Sequence, residues 1–494
     1  MKTNPFLLTD YYKVGHVFQY PSNTTLVYSN LTPRSSRLEG VDEMIFFGLQ
    51  YFIKEYLVCY FNENFFDLPK EKVLADYKRR IVTSLGTHLP TYEHIEKLHQ
   101  LGYLPVEIKA LPEGSKVPIK VPCLTIVNTL PEFYWLTNFL ETILSAIIWQ
   151  PCTSATIARE YRKLLNKYAV QTGTPAEFVQ WQGHDFSFRG MSSLESAILS
   201  GMGHLLSFTG TDTIPAIDAL EQYYNADADK ELIGGSVAAT EHSVMCSGSK
   251  EGELETFNRL ITKVYPSDIV SIVSDTWDLW KVCTEYLPAL KEIVLQRDGK
   301  VVIRPDSGDP VKIMCGNPEG KTNAERKGVV ELLWDVFGGT ITDMGYKLLD
   351  SHIGAIYGDS INLQRAAEIC EGLKEKGFAS QVVFGIGSFT YQYNTRDTFG
   401  MAMKATYVEV AGEGREIFKN PVTDDGTKKS ATGLLCVKKE NNKYVLYDKV
   451  SWTEEKDSAL QTVFKDGKLV KEYSLAELRE RIAKEDFVVT RNQI

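Results

Sequence analysis

The feature that most constrains the fold of this chain is a regular alternation of short apolar runs, turns and helical stretches between Ser154 and about Thr395. The helical periodicity predicts helices at residues 192–208, 214–224 and 362–376, separated by runs rich in Val, Ile and Phe. Alternation of strands with helices is typical of a parallel sheet, either open or closed into a barrel. The sequence therefore predicts an α/β domain in this region.

Four of the predicted strands run directly into a turn that carries charged residues, serine or glycine. These peptides are residues 272–275, 302–308, 355–360 and 382–388. The carboxyl ends of parallel strands converge, and Asp, Arg, Gly and Ser at that place suit a phosphorylated ligand. The same residue types also cap helices and form turns in any α/β protein. However, Arg304 and Asp306 flank a rigid proline, and capping has no use for a guanidinium, so the set predicts a phosphate site.

Length and charge limit the class of protein. A chain of 494 residues is long enough for two domains, and its formal net charge of -10 argues against coating nucleic acid, which needs a broad basic face. Any phosphate site must therefore be local. The eight cysteines are scattered without CxxC pairs, which indicates reduced thiols in a cytoplasmic protein and gives no zinc signature.

Neither the N-terminus nor the most apolar window of the chain is predicted to interact with a membrane. The N-terminus lacks a charged region followed by an apolar one, so no secretory signal is predicted. The most apolar window, residues 133–150, is interrupted by Asn138 and Glu141 and is predicted to be a buried core helix.

The pattern of residue types divides the chain into three segments. Residues 1–150 mix helices with short extended pieces and predict an N-terminal α/β domain, while residues 151–399 predict an α/β barrel domain. Residues 400–494 become polar and basic, then form a predicted hairpin at Asp466-Gly467 and a helix opened by a capping box from Ser474 to Glu477. This last segment is too small to be an independent domain.

Seven peptides along the chain form a more specific pattern. They are Thr9–His16, Phe47–Tyr51, His184–Phe186 with Arg189–Gly190, Gly210–Thr213, Glu241–Ser243, Arg304–Gly308 and Thr395–Asp397. In this order and at this spacing they resemble the nicotinamide phosphoribosyltransferase family of type II phosphoribosyltransferases, over essentially the whole chain. Seven ordered motifs are far more specific than any one of them, so the resemblance is to a family and not only to a fold.

The resemblance implies a fold, a reaction and an assembly. The fold is an irregular (β/α) barrel of the type II kind plus a mixed α/β domain built from the N- and C-terminal segments, with residues 400–494 also on the ATP side of the site. The reaction converts nicotinamide and 5-phosphoribosyl pyrophosphate to nicotinamide mononucleotide and pyrophosphate in NAD salvage. Mg²⁺ is required, and ATP is a co-substrate that acts through a phosphorylated histidine. The assembly is a homodimer with shared active sites.

The resemblance also implies roles for residues at matching positions. The nicotinamide-binding residues are Phe186, Asp212, Arg304 and Tyr12, the last supplied across the dimer. Phe186 and Tyr12 would clamp the ring between two aromatic faces. Asp212 would accept the carboxamide N–H and repel a carboxylate, thereby selecting nicotinamide over nicotinic acid.

Catalysis and phosphate binding are assigned in the same way. The catalytic residues are His242, the phosphate acceptor, with Asp275, which fixes its tautomer, and Asp306. The residues that bind the phosphoribosyl and pyrophosphate groups are Arg189, His242, Arg304, Asp306, Gly358, Asp359, Gly387, Ser388 and Arg396. On the ATP side are Arg34, Lys419 and Lys428. No metal ligands are assigned, because Mg²⁺ is expected to bind through the phosphates.

The chain departs from the family pattern in two loops. Where the family commonly has a run of glycines, this chain has residues 385–389, in which only Gly385 and Gly387 are glycine. Ala238 stands where the family has proline and Thr240 where it has alanine, so the loop that carries His242 is expected to be less rigid. The acidic pair at residues 424–425 is similar to the acidic loop of type I phosphoribosyltransferases, but no apolar strand precedes it, so it is interpreted as a solvated or ATP-side loop.

Three alternative functions share part of this pattern. Nicotinate phosphoribosyltransferase shares the barrel and the reaction, but its carboxylate substrate would need a neutral or cationic partner at Asp212. A barrel aldolase or isomerase would normally offer a lysine or carboxylate base at a strand end. A non-catalytic binding protein would not require all of His242, Asp275, Arg304 and Asp306. His204, inside an apolar helix, is interpreted as a structural residue.

Overall fold

The computed structural model describes residues 3–85, 89–419 and 431–486. The described residues form two compact units. The N-terminal unit comprises the described residues within 1–153, 221–226 and 394–481, and the barrel unit comprises those within 154–220, 227–393 and 482–494.

The strands are numbered in chain order. They are β1 Thr24–Thr32, β2 Glu43–Ile45, β3 Val106–Ala110, β4 Lys116–Pro118, β5 Leu124–Asn128, β6 Gly183–Asp185, β7 Gly210–Thr211, β8 Ala238–Ala239, β9 Val270–Val273, β10 Val301–Arg304, β11 Gly339–Ile341, β12 Lys347–Leu349, β13 Ile353–Tyr357, β14 Val383–Ile386, β15 Ala402–Val410, β16 Glu413–Glu416, β17 Leu434–Glu440, β18 Lys443–Val450, β19 Gln461–Lys465 and β20 Lys468–Leu469.

The helices are numbered in the same way. The α-helices are α1 His16–Gln19, α2 Leu49–Phe52, α3 Lys70–Leu85, α4 Glu93–Leu101, α5 Leu136–Phe139, α6 Glu141–Thr172, α7 Ala176–Gln182, α8 Leu194–His204, α9 Ile214–Tyr224, α10 His242–Ser247, α11 Glu253–Arg259, α12 Leu279–Lys281, α13 Leu287–Leu295, α14 Pro310–Cys315, α15 Asn323–Lys327, α16 Val329–Phe337, α17 Leu363–Glu375, α18 Ser388–Tyr391, α19 Trp452–Lys456 and α20 Leu475–Asp486. Short 3-10 helices lie at Pro5–Leu7, Tyr11–Gly15, Pro131–Phe133, Phe188–Gly190 and Arg396–Thr398. Segments of π-helix lie at Ile53–Tyr60, Asn62–Phe66, Leu260–Val264 and Val282–Tyr286.

The N-terminal unit is organised around a seven-stranded antiparallel sheet in the order β16-β15-β1-β5-β3-β19-β20. The long strand β1 pairs with β15 on one side and with β5 on the other. Opposite residues on β1 and β15, Val27 and Val408, are buried together with Val410. Four strands of this sheet thus come from the last hundred residues of the chain, and they share a core with strands from its beginning.

The barrel unit is organised around a seven-stranded parallel sheet in the order β7-β6-β14-β13-β10-β9-β8. Its two edges are joined by residues 235–239, because Gly235 pairs with Gly210 of β7 while Ala238 and Ala239 pair with β9. All four residues of β9 are buried, as expected for a strand covered on both faces. The predicted irregular α/β barrel is confirmed.

Local signals explain most of the helix boundaries. The helix predicted at residues 192–208 begins later, at Leu194, because the hydroxyl of Ser193 caps it by accepting the N–H of Ser196 at 3.1 Å. The helix predicted at residues 214–224 is α9. The predicted capping box is present, since Ser474 and Glu477 exchange hydrogen bonds of 2.7 and 3.3 Å, and β19 and β20 form the predicted hairpin.

The structure bears on two predictions from the sequence, one about the apolar window and one about the cysteines. The window at residues 133–150 folds into α5 and the start of α6, with Leu144 and Ile148 buried. Among the described helices, none has the length and apolar character needed to cross a membrane. The eight cysteines are all free thiols. The acidic pair at residues 424–425 and Lys428 lie outside the described residues.

Candidate active site

Each of the seven barrel strands ends at, or within three residues before, a residue that the sequence singled out. These residues are Phe186 after β6, Asp212 after β7, His242 after β8, Asp275 after β9, Arg304 and Asp306 at the end of β10, Gly358 and Asp359 after β13, and Gly387 and Ser388 after β14. Because the strands are parallel, these positions share one end of the barrel. The prediction that the strand-ending peptides belong to one parallel sheet is confirmed.

Two cavities of the barrel unit meet at this end. The first, of about 260 Å³, extends along the barrel, because its lining runs from Ile269, Lys300 and Ile353 at the amino ends of the strands to Arg304 at the carboxyl end of β10. Most of this lining is apolar, with His184 and Ser236 among its polar groups. The second, of about 310 Å³, is lined by Phe186, Phe188, Arg189 and Asp212. Phe186 and Asp212 line both cavities. A largely apolar cavity with a few convergent polar groups suits a small aromatic ligand.

The ring of Phe186 is held by close neighbours. The guanidinium carbon of Arg304 lies 5.1 Å from its ring centroid, and the ring of His184 lies 4.7 Å from it. Gly358 is also close, because a Cβ added there would lie 3.4 Å from Phe186 and 3.1 Å from Oδ1 of Asp306. A Cβ added at Gly385 would overlap the Phe186 ring. Gly385 therefore makes room for the aromatic side chain, and Gly358 packs beside it.

Asp212 accepts two hydrogen bonds on a single oxygen. Its Oδ1 lies 2.9 Å from Nε2 of His184 and accepts the hydroxyl of Ser236 at 2.6 Å. Burial raises the pKa of Asp212, but the hydrogen bonds from His184 and Ser236 and the charge of Arg304 outweigh it and bring the pKa below its ordinary value. The side chain is therefore an anion at neutral pH.

His184 and Ser236 were not assigned to the site from the sequence. For His184 a signal exists, because residues two apart on an extended strand face the same side, and Phe186 follows β6 directly. Ser236 lies in the segment that joins the two edges of the barrel, and no comparable pattern marks it.

A second group of polar side chains surrounds Asp275. Its Oδ2 accepts the N–H of Asp306 at 2.8 Å and the hydroxyl of Ser307 at 2.6 Å, while its Oδ1 lies 3.4 Å from Nε2 of His242. The Asp275 side chain is 5% exposed, whereas that of His242 is 51% exposed. Nη2 of Arg304 is 3.9 Å from Asp306, and its buried Nε has no hydrogen-bond partner among the described residues. The guanidinium of Arg304 is thus not fully used in hydrogen bonds within the described protein.

Buried groups behind the strand ends fix the loops. The buried carboxylate of Asp185 accepts the N–H of Ser187 at 2.9 Å and the hydroxyl of Thr213 at 2.7 Å, which ties the loop after β6 to the loop after β7. His204 lies between the hydroxyl of Tyr391, at 2.7 Å, and the carbonyl of Gly210, at 3.0 Å. Burial lowers the pKa of His204 to about 4, so it is neutral, and its interpretation as a structural residue is confirmed.

The remaining assigned residues belong to the N-terminal unit. They are Tyr12, Arg34, Arg396 and Lys419. The Tyr12 side chain is 63% exposed and lines a cavity of about 400 Å³ together with Lys404. The pKa of Lys404 is lowered by partial burial and by the positive charges of Arg34, Lys419 and Arg396, against the opposing charge of Glu141. Lys404 therefore belongs to a basic cluster with three predicted phosphate-binding residues, although the sequence did not single it out.

Comparison with known proteins decides the family. Residues 181–468 match the nicotinate phosphoribosyltransferase (NAPRTase) family, and residues 4–108 match the N-terminal domain of nicotinamide phosphoribosyltransferase. A nicotinamide phosphoribosyltransferase of Acinetobacter baylyi is 55% identical over 497 residues, covering 98% of each chain. The chain belongs to the nicotinamide phosphoribosyltransferase family. A nicotinamide phosphoribosyltransferase of Mycoplasma pneumoniae is 37% identical, over 86% of this chain and 94% of the relative.

Solved structures agree at the level of the fold. The crystal structure of nicotinate-nucleotide pyrophosphorylase from Pyrococcus furiosus superposes with a TM-score of 0.60 at 14% identity, covering 99% of this chain and 97% of the other. The family, the type II fold and the enzyme class predicted from the seven motifs are therefore confirmed for this member of the nicotinamide phosphoribosyltransferase family. The aldolase, isomerase and non-catalytic alternatives are set aside.

Proposed function

We propose that the pocket at the carboxyl ends of the barrel strands transfers the phosphoribosyl group of 5-phosphoribosyl pyrophosphate to nicotinamide, giving nicotinamide mononucleotide and pyrophosphate. The observation that carries this proposal is the position of Asp212. Its anionic carboxylate lines both cavities beside Phe186, with Oδ1 bound by His184 and Ser236. Oδ2 accepts the carboxamide N–H of nicotinamide while Phe186 stacks on the pyridine ring.

The competing substrate is nicotinate, because the wider family carries its name. A carboxylate brought to Asp212 would place two negative charges side by side, and neither could donate a hydrogen bond to the other. Arg304 lies close enough to lower the pKa of Asp212 and partly offsets this repulsion. The enzyme should therefore prefer nicotinamide by a finite factor, which the ratio of the two kcat/KM values measures.

Charge stabilisation drives the transfer step. Cleavage of the bond between the ribose carbon and pyrophosphate builds oxocarbenium character at the sugar, while negative charge grows on the leaving group. The free donors of Arg304, together with the exposed Arg189, bind that charge in a planar, forked geometry. Gly358, Asp359, Gly387 and Ser388, at the ends of β13 and β14, hold the phosphoribosyl group.

The carboxylates near the strand ends are candidates to contact a divalent cation together with substrate phosphates. Burial raises the pKa of Tyr357, and the charges of Asp359, Asp306, Asp275 and Asp309 raise it further. Among the described residues, no group of three or more His, Cys, Asp or Glu side chains is arranged to hold a metal ion on its own. Oxygen ligands of this kind suit Mg²⁺, which keeps waters and binds through one or two carboxylates plus substrate phosphates. Asp306 and Asp359 are the proposed contacts. Bound Mg²⁺ would neutralise charge on the pyrophosphate.

ATP is proposed to act through His242. Asp275 faces Nε2 of His242 at 3.4 Å and favours a proton there, which leaves Nδ1 to accept the γ-phosphate. A nitrogen–phosphorus bond forms and ADP leaves. The half-exposed position of the ring is compatible with access by a nucleotide.

The basic cluster of the N-terminal unit is proposed to bind phosphates. Arg34 and Lys419 are assigned to ATP and Arg396 to the phosphoribosyl group, with Lys404 as an additional cation. Tyr12 is proposed to complete the nicotinamide site of a second copy in a homodimer. A cytoplasmic location is proposed from the free thiols.

The test is a competition assay with nicotinamide and nicotinate, using 5-phosphoribosyl pyrophosphate and Mg²⁺, with and without ATP. Wild type should prefer nicotinamide and should be stimulated by ATP. Asp212→Asn can donate to a carboxylate, so the preference should fall on the order of tenfold, about 1.4 kcal/mol. His242→Ala should lose the stimulation and keep weak ATP-independent synthesis. Unchanged discrimination in Asp212→Asn would remove Asp212 from substrate selection.

A further inference from the structure

Two donors from separate segments converge on one oxygen of Asp212. His184 reaches Oδ1 from the end of β6, and Ser236 reaches it from the segment that joins the barrel edges. Among the described residues, Oδ2 receives no hydrogen bond. The carboxylate is therefore tethered at one oxygen, and the other is available in the cavity that Asp212 lines.

The ionised carboxylate dictates the tautomer of His184. A carboxylate only accepts hydrogen bonds, so Nε2 of His184 must carry the proton. The opposite ring nitrogen, Nδ1, lies so close to Gly210 that a Cβ added there would be 2.7 Å away. His184 is buried, with 8% of its surface exposed, and its ring also contacts Phe186. Packing on both sides thus holds the imidazole in the orientation in which it donates to Asp212.

We propose that His184 is a positioning residue for substrate selection: with Ser236 it keeps the Asp212 carboxylate anionic and turned so that Oδ2 meets the carboxamide of nicotinamide. This inference rests on the proposed function of the same pocket. His184 acts through Asp212, because the hydrogen that its Nε2 donates to the carboxylate is what maintains the selectivity. A substitution that retains a donor at this place should therefore retain selectivity.

Several charged and titratable groups surround the pair. The charge of Arg304 lowers the pKa of Asp212, and His184 and Asp185 both act on the buried His204. Lys300 lines the first cavity and Arg189 lines the second. Since the hydrogen bonds from His184 and Ser236 favour the anionic form of Asp212, their loss should allow the carboxyl to take up a proton at higher pH. A protonated Asp212 offers a weaker acceptor to nicotinamide and repels nicotinate less.

The experiment compares His184→Leu, which keeps the volume without a donor, with His184→Gln, which places an amide N–H near the position of Nε2. The value of kcat/KM is measured for nicotinamide and for nicotinate between pH 5 and 8.5. We expect His184→Leu to lower the preference for nicotinamide on the order of tenfold, through KM, and to shift the acid limb of the nicotinamide profile to higher pH. His184→Gln should keep most of the preference and the wild-type acid limb.

Controls separate this inference from the proposed function. Asp212→Asn is measured in parallel: a changed preference there with an unchanged preference and acid limb in folded His184→Leu would overturn the role of His184 alone. An unchanged preference in both would overturn the role of Asp212 as well. Equal defects in His184→Leu and His184→Gln would show that the ring acts directly. Should His184→Leu fail to fold, His184→Met, which also lacks a donor, carries the test, and an unchanged preference and acid limb there overturn the proposal.

Discussion

At the scale of single residues, the proposed nicotinamide pocket depends on the absence of a side chain at Gly385. A Cβ at this position would overlap the Phe186 ring and would lie 2.7 Å from Cα of Gly358, which is backbone and cannot rotate away. Phe186 would have to leave its place between the two glycines and Arg304. The aromatic face offered to the substrate is therefore set by a neighbouring strand.

Gly385→Ala should raise KM for nicotinamide on the order of tenfold, since misplacing Phe186 weakens ring stacking, and the overpacking should cost about 1–3 kcal/mol of stability. Steady-state kinetics and thermal unfolding measure both effects. Gly235→Ala is the matched control, because a Cβ there meets its nearest neighbour at 3.6 Å. Wild-type nicotinamide binding in Gly385→Ala would contradict this account of Phe186.

At the scale of secondary-structure elements, His204 links α8 to β7 and to α18 through its bonds to Gly210 and Tyr391. Burial lowers the pKa of His204 to about 4, although the charge of Asp185 opposes the shift. The unfolded chain binds this proton near pH 6.5, whereas the folded chain does not until about pH 4. The folded state therefore has its full stability, with respect to this histidine, above pH 6.5, and it loses stability as the pH falls towards 4.

Replacing His204 by Gln should remove that pH dependence. Between pH 7.5 and 4.5 the wild-type unfolding midpoint should fall more steeply than that of His204→Gln, since the linkage is worth on the order of 3 kcal/mol over the full window. Parallel slopes for wild type and His204→Gln in thermal unfolding would show that this proton is not linked to folding.

The secondary-structure elements also show which parts of the site could be predicted from the sequence. Runs of β-forming residues that end in charged turns located Asp275, Arg304 and Asp306, because strand periodicity and turn chemistry are local signals. The convergence of His184 and Ser236 on Asp212 depends on which strands are neighbours and on how residues 235–239 join the barrel edges. Such contacts between segments distant in sequence have no local signature.

The same distinction applies to the glycines. Gly358 was assigned to phosphate binding from the family pattern, and the structure also places it against Phe186 and Asp306. A sequence marks a glycine without saying whether its missing side chain serves a ligand or a neighbouring ring. The start of α8 was missed by two residues for a simpler reason, because Ser193 acts as its cap.

At the scale of the whole molecule, the residues assigned to one active site fall in two units. Phe186, Asp212 and Arg304 belong to the barrel unit, whereas Tyr12 belongs to the N-terminal unit and has a largely exposed side chain. In the proposed homodimer each nicotinamide site takes Tyr12 from one subunit and Arg304 from the other. Shared sites of this kind make a specific prediction about mixtures of inactive variants.

Tyr12→Ala and Arg304→Ala should each be inactive alone and should regain activity when they are refolded together. A heterodimer contains one site with both defects and one site with both residues intact, so a random mixture should recover roughly a quarter of wild-type activity. Differently tagged subunits, purified through both tags, give the heterodimer itself, whose activity should approach half. If Tyr12 instead serves its own subunit, every site in the heterodimer keeps one defect. A purified heterodimer no more active than its parents would therefore overturn the shared-site assembly.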